Sequence, residues 1–464
     1  MDYNKYTPSP RQTGHNFIVK YWYLFTSFFS SLVFVQVLIN GAVTYHLWNK
    51  ITGSEKSNEP VDVDENTYIP REPYNDIDQM KPSKDLRYYC LHMGLDLEEY
   101  RIVTEDDYVL PLHRLIDPKV SSEERNMKKP ILLQHGLLSC SSAYVTPGFN
   151  SLAYYFLEQG YDVWLGNNRS WFEPMHNTIE GNLMHSEEYW DWDILHLAYY
   201  DLPCIIKTVL SHKPNHEKLV YVGHSQGCTQ SILMLKNGNL SEVHEMIEFY
   251  IALAPAIFPG NLFHHRAFIK FIHSRGKLGY KLIFGCCSFL RYLSIARSYL
   301  YSTKLFGSLT YYMFKYLFGW NARNWCKDRR IWHFNFIFNV TYVSSRLMNW
   351  WLSEWVPQGF SNQLLAPKAY KTRANAMPQS EFDVDDTQSY FPFSKQWFTN
   401  DLKTVPMLIF TAGQDFLVDG ERLRTHMRTY EKNYIAGENL FLHHLDDYNH
   451  VDVIWAEDVV GKIG

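Results

Sequence analysis

The chain has 464 residues, of which 46% are hydrophobic, 20% charged and 16% aromatic. That length holds about two to three average domains, or one large α/β domain with insertions, and the apolar content excludes wholesale disorder. A formal net charge of −5 argues against a generic nucleic-acid binder. Seven scattered cysteines, odd in number and without paired ligand spacing, suit neither a disulfide scaffold nor a zinc site.

Residues 1–20 form a polar tail, and the stretch from Tyr21 to Tyr45 then contains no Asp, Glu, Lys, Arg or His. At ~1.5 Å per residue, about 25 helical residues exceed the ~30 Å hydrocarbon thickness of a bilayer. Tyr21, Trp22, Tyr23, Tyr45 and Trp48 stand at its ends, where interfacial aromatics belong. The run is too long for a signal-peptide core, lacks an A-x-A site, and exceeds the usual buried core helix. A permanent anchor over residues 21–48 is expected, either single-pass or monotopic with a hairpin dip near Asn40-Gly41. Lys5, Arg11 and Lys20 before it, against Lys50 and Lys56 after it, lean toward a cytoplasmic N-terminus. Lipid droplet, endoplasmic reticulum and plasma membrane are the homes this leaves open.

Residues 49–80 are rich in acid, Pro, Ser and Asn and read as a solvated linker, with an irregular packed arm as the alternative. Around Glu105-Asp106-Asp107, two β-prone runs predict a hairpin. Short apolar strands follow at Ile131–Gln134, Tyr161–Leu165, Leu219–Val222, Phe249–Leu253, Met407–Phe410 and Asn439–Leu445. Their alternation with helical stretches predicts an α/β protein with a mostly parallel sheet. Residues 81–255 and 386–464 are thus two parts of one core, and residues 256–385 a helical cap or lid inserted between them. From Ala256 to Ser353 the cap carries fourteen Lys or Arg residues and a single carboxylate, Asp328. Such a basic, aromatic surface favours an anionic lipid interface.

The chemistry gathers on Gly223-His224-Ser225-Gln226-Gly227, a G-x-S-x-G that follows an apolar strand and precedes a helical run. A serine on that sharp turn holds its hydroxyl clear of the sheet, and the flanking glycines permit the tight backbone. Its partners are expected in the chain order Ser, acid, His. Asp415 lies just past one late strand and His450 in the loop after the last. Asp419, Asp446, Asp447 and Asp452 are rival carboxylates, and His443 and His444 rival imidazoles that fall within the strand pattern. The oxyanion amides are then Gln226, directly after the nucleophile, and Leu137, in the turn that Gly136 allows after the strand Ile131–Gln134. His135 reads as a packed loop residue.

At these residues the chain resembles the acid lipases and sterol esterases of the α/β-hydrolase fold, and among them the membrane-anchored fungal steryl ester hydrolases. The segments VTEDDYVLPLHR, LLQHGLL, YDVWLGNNRS, YYDLP, GHSQG, GQDFLVD and YNHVDVIW carry the likeness. The resemblance implies that Ser225 is nucleophile, His450 general base and acid, Asp415 its orienting partner, and Leu137 with Gln226 the oxyanion donors. It implies a lid over the site and two-step acyl transfer without metal or organic cofactor. The expected substrate is a lipid ester, first of all a steryl ester, met at a membrane or lipid-droplet surface; nucleic acid is not an expected partner. Triacylglycerol lipase and a catalytically silent lipid-binding protein are the alternatives. Ser170 stands where the family has glycine, which also makes Asn168-Arg169-Ser170 a nominal glycosylation sequon, beside Asn239-Leu240-Ser241 and Asn339-Val340-Thr341.

Overall fold

The computed structural model describes residues 4–9, 14–53, 69–372 and 388–464. Eight strands form one sheet: β1 (Asp96–Val103), β2 (Val109–Ile116), β3 (Pro130–Gln134), β4 (Asp162–Gly166), β5 (Leu219–His224), β6 (Ile247–Leu253), β7 (Met407–Ala412) and β8 (Leu440–Leu445). Their order across the sheet is β1-β2-β4-β3-β5-β6-β7-β8. β1 and β2 form the predicted antiparallel hairpin, β2 meets β4 antiparallel, and every pair from β4 to β8 is parallel. This is the α/β-hydrolase fold.

β3, β4 and β5 are buried along their full length, which is why residues 131–133, 163–165 and 219–222 read as continuous apolar runs rather than alternating ones. Alternation persists in where the side chains go. Ile131, Leu133, Val163, Leu165, Val220 and Val222 join the core on one face of the sheet, while Leu132, Trp164 and Tyr221 join the core on the other. Two layers therefore clamp the central strands, and loops at their C-terminal ends are held by rigid elements.

Several of the family-like segments meet in one buried ion network. The Arg169 guanidinium donates to Asp201 Oδ1 at 2.8 and 2.6 Å and to both oxygens of Asp106 at 2.8 and 2.9 Å, and it lies 3.7 Å from the Tyr108 ring centre. The side chains of Arg169 and Asp201 are fully buried, so each charge depends on the others for compensation. Ser170 lies outside the set of positive-φ residues, so the backbone there does not require glycine.

The N-terminal helix spans Phe17–Thr52, longer at both ends than the expected anchor. Asn16 caps its start by accepting from Val19 N–H, and Gly53, at φ 64°, closes its end. It runs unbroken through Asn40-Gly41, so no hairpin forms there. A Cβ on Gly41 would lie 3.1 Å from the Tyr316 ring; the glycine serves close packing. Leu24, Ser27, Ser31, Phe34, Leu38 and Ala42 are buried, a stripe at helical spacing. The stripe rests on the helices inserted between β6 and β7: Phe28 meets Tyr292, Phe34 meets Phe268 and Phe284, and His46 meets Tyr312. The opposite face leaves Phe25, Phe29, Leu32, Val33 and Val37 exposed.

Of the expected linker, residues 54–68 lie outside the described residues. Beyond them Tyr74, Ile77 and Met80 are buried, which makes that stretch a packed arm. Helices from Leu262 to Thr372 fill the insertion between β6 and β7; residues 373–385 of the expected cap lie outside the described residues. The basic surface of this region is smaller than its composition suggests. Arg297 is buried and donates to Ile337 O, Arg330 pairs with Asp328 and Asp78, and Arg346 pairs with Asp191 and Asp193.

Replacing Arg169 by Met strands Asp106 and Asp201. The expected loss is about 3–5 kcal/mol of stability, against less than about 1 kcal/mol for breaking the exposed Lys129–Glu248 pair. Thermal denaturation of the detergent-solubilised protein measures both.

Candidate active site

β5 ends at His224 and a helix starts at Gln226 (Gln226–Leu235). Between them Ser225 turns the chain with φ 53° and ψ −113°, a conformation that costs an L-residue about 1–3 kcal/mol. The surroundings hold it: Ser225 N–H donates to Leu253 O, and its carbonyl accepts from Cys228 and Thr229 N–H. Both flanking glycines relieve close backbone approaches. A Cβ on Gly227 would lie 2.6 Å from Gln134 O, and one on Gly223 would lie 3.0 Å from the Gly227 carbonyl carbon.

The loop after β8 brings His450 to this turn. His450 Nε2 lies 2.8 Å from Ser225 Oγ, and His450 Nδ1 lies 2.7 Å from Asp415 Oδ2. The other oxygen of Asp415 accepts from Leu417 and Val418 N–H at 2.9 and 3.0 Å, which fixes the carboxylate. With Nδ1–H donating to Asp415, the lone pair of Nε2 faces the serine hydroxyl. Both side chains are almost fully buried.

The rival residues fall elsewhere. Asp419 caps the helix Gly420–Thr429 by accepting from Arg422 N–H. Asp446 and Asp447 are exposed. His443 of β8 stacks on Phe410 of the neighbouring β7, and His444 Nδ1 meets Thr411 Oγ1. Asp452 ties the His450 loop to the cap, accepting from Trp325 Nε1, Asn324 Nδ2 and Asn449 N–H at 2.7, 2.8 and 2.7 Å. Burial pushes its carboxyl up to about 7, against those donors.

Three further neighbours of the site escape sequence reasoning. His224 Nε2–H donates to the His450 carbonyl at 3.1 Å, the Trp320 ring lies parallel to the His450 imidazole at 6.3 Å, and Trp351 Nε1–H donates to Gln226 Oε1 at 3.0 Å. Only His224 carried a signal, as the residue between Gly223 and Ser225; the tryptophans belong to the cap and reach the site through tertiary packing alone.

The β3 loop closes on the serine from the other side, since a Cβ on Gly136 would lie 3.0 Å from Ser225 Cβ. Among the described residues, no acceptor engages the N–H of Leu137 or of Gln226. His135 is buried, accepts from Asn168 N–H at Nε2 and donates from Nδ1 to Gly136 O. Burial lowers its pKa to about 4 and that of His224 to about 3, so both rings stay neutral. Asn168 and Asn339, in two of the sequons, are buried, whereas Asn239 is exposed. Ser225 and His450 open into an apolar cavity of about 280 Å³, walled by Phe289, Phe314 and Met348 of the cap among others.

Among the described residues one group of metal-ligating side chains gathers, His15, Glu187 and Cys286, within 4.8 Å of one another. It sits at the foot of the N-terminal helix, and Lys281 Nζ lies 3.2 Å from His15 Nε2, a charge that opposes a cation there.

Residues 86–148 match the partial alpha/beta-hydrolase lipase region. Sterol esterase 2 of Saccharomyces cerevisiae is 34% identical over 414 residues, an alignment covering 87% of this chain and 75% of that protein. The chain belongs to the acid lipase and sterol esterase family. Lipase member M of Homo sapiens is 28% identical over 377 residues, 79% of this chain and 80% of that protein. The tear acid lipase-like protein of Mesocricetus auratus is 32% identical over 213 residues, 46% and 51% respectively. Family membership makes this chain a carboxylic ester hydrolase.

His224→Leu leaves the buried His450 carbonyl without its donor, an expected loss of about 1–3 kcal/mol at pH 8. The loss shrinks in acid. A His whose folded pKa is depressed contributes stability above its unfolded pKa of about 6.5 and loses it as pH falls toward 3, so wild type gives up about 2 kcal/mol at pH 5 that the variant keeps. Denaturation at both pH values checks the sign.

Proposed function

We propose that Ser225, His450 and Asp415 are the nucleophile, the general base and acid, and the orienting carboxylate of a lipid ester hydrolase. The observation that carries this reading is the unbroken chain of contacts from Asp415 Oδ2 through the imidazole to Ser225 Oγ, opening into an apolar cavity. Ser225 Oγ attacks the ester carbonyl while its proton passes to His450 Nε2. The charge that develops on the carbonyl oxygen is taken up by the N–H groups of Leu137 and Gln226. The same proton then goes to the departing alcohol oxygen, the ester C–O bond breaks, and the acyl group remains on Ser225. Water, giving its proton to His450, attacks the acyl-enzyme, and the fatty acid leaves as Ser225 recovers the proton.

Steryl esters are the proposed substrates, supported by an apolar, aromatic cavity suited to bulky lipids and by the likeness to a protein named sterol esterase 2. Triacylglycerol is the second reading, favoured by the relative named a lipase. The protein works at a membrane or lipid-droplet surface, with the N-terminal helix as its anchor. A monotopic seat suits the packing better than a crossing, because cap residues such as Lys281 accompany the helix (Nζ lies 6.0 Å from the Tyr23 ring). A crossing would carry such charges into hydrocarbon at about 2.5–3.5 kcal/mol each. The outer face of the helix then beds into lipid, and Phe271, Leu278, Tyr299 and Leu305 add exposed apolar surface on the cap.

A fluorophosphonate is expected to label Ser225 in wild type, and Ser225→Ala to abolish labelling and turnover while keeping the thermal transition. Wild type in detergent is expected to hydrolyse steryl oleate faster than trioleoylglycerol; the reverse ranking selects the triacylglycerol reading, and absent labelling with absent turnover removes the hydrolase.

A further inference from the structure

The cavity that receives Ser225 and His450 is not walled by the catalytic domain and cap alone. Phe34, Val35, Leu38 and Ile39 of the N-terminal helix line it as well. These four positions form one stripe, since residues three to four apart on a helix share a face. Phe34 and Leu38 are nearly inaccessible, whereas Val33 and Val37 on the outer face are 63% and 54% exposed. The stripe is fixed rather than loosely apposed. Phe34 is wedged against Phe268 and Phe284 at ring-centre distances of 4.1 and 5.2 Å, Gly41 admits the Tyr316 ring, and Ser27 closes on Gly285.

We propose that the N-terminal helix, besides anchoring the protein, is a wall of the acyl-chain pocket, with Leu38 and its neighbours Phe34, Val35 and Ile39 setting the acyl length accepted. This rests on the hydrolase reading above and deepens it. The acyl chain is the occupant because of the order of bond changes. The alcohol departs and water enters between the two half-reactions, whereas the acyl group stays bonded to Ser225 throughout and needs enclosed apolar space. Chain-length selectivity then resides in a segment whose composition speaks only of lipid.

The test is a p-nitrophenyl ester series from butyrate to palmitate, with full-length protein in detergent and active sites counted by fluorophosphonate labelling. Leu38→Trp is expected to lower the palmitate-to-butyrate ratio of kcat/KM at least tenfold, and Leu38→Phe, a smaller intrusion, to lower it in the same direction if the Trp variant does not fold. Val37→Trp, adjacent but facing outward, is expected to keep the wild-type ratio. An unchanged ratio in labelled Leu38 variants, or an equal shift in Val37→Trp, overturns the proposal. Failure of wild type to label is a different outcome that removes the underlying hydrolase reading.

Discussion

The site hangs on one residue held against its conformational preference. Ser225 keeps a positive φ only because β5 is gripped between β3 and β6 while Gly227 lets the following helix lie directly against the Gln134 carbonyl. Relaxing that turn would swing Oγ away from His450 and reorient the Gln226 amide in the same motion. Its cost of about 1–3 kcal/mol is small beside the burial of three apolar strands on both faces. The other two members of the constellation arrive for a related reason. β7 and β8 run parallel to β5, so the loops bearing Asp415 and His450 leave the sheet at the same end as the Ser225 turn.

Much of this was legible in the chain, for reasons that can be located. The central strands read out because burial on both faces leaves uninterrupted apolar runs, and Ser225, Asp415 and His450 follow strand ends in the order the fold requires. Strand limits were less legible: β5 continues through Gly223 and His224, whose composition suggests a loop, because pairing with Ala252 and Leu253 of β6 extends it. The Arg169 network was visible only as unexplained segments, since its carboxylates lie 63 and 32 residues away in the chain. Trp320 and Trp351 gave no sign at all. An aromatic in the cap looks the same whether it meets solvent, core or the His450 imidazole, and only tertiary packing distinguishes these.

The N-terminal helix shows the same limit in sharper form. An apolar run with aromatic ends is consistent with lipid on every side, and nothing in its composition separates an exposed Val37 from an enclosed Leu38. The separation comes from the cap, whose helices bury one stripe and leave the other bare. Ser27 and Ser31, inconspicuous in a hydropathy profile, belong to the buried stripe, where small side chains let backbones approach. The basic residues of the cap also divide on packing rather than composition, some paired, one buried, and others along the helix.

That arrangement has a consequence for biosynthesis. The helix ends at Thr52, yet its partners extend to Tyr316 and Tyr312 on a helix finished only at Phe318. At about 5–20 residues per second of translation, tens of seconds separate the emergence of the apolar segment from the emergence of the surface that covers its inner stripe. Throughout that interval the inner stripe lacks its covering, so the docking of the cap onto the helix is a late stage of maturation imposed by the order of the chain.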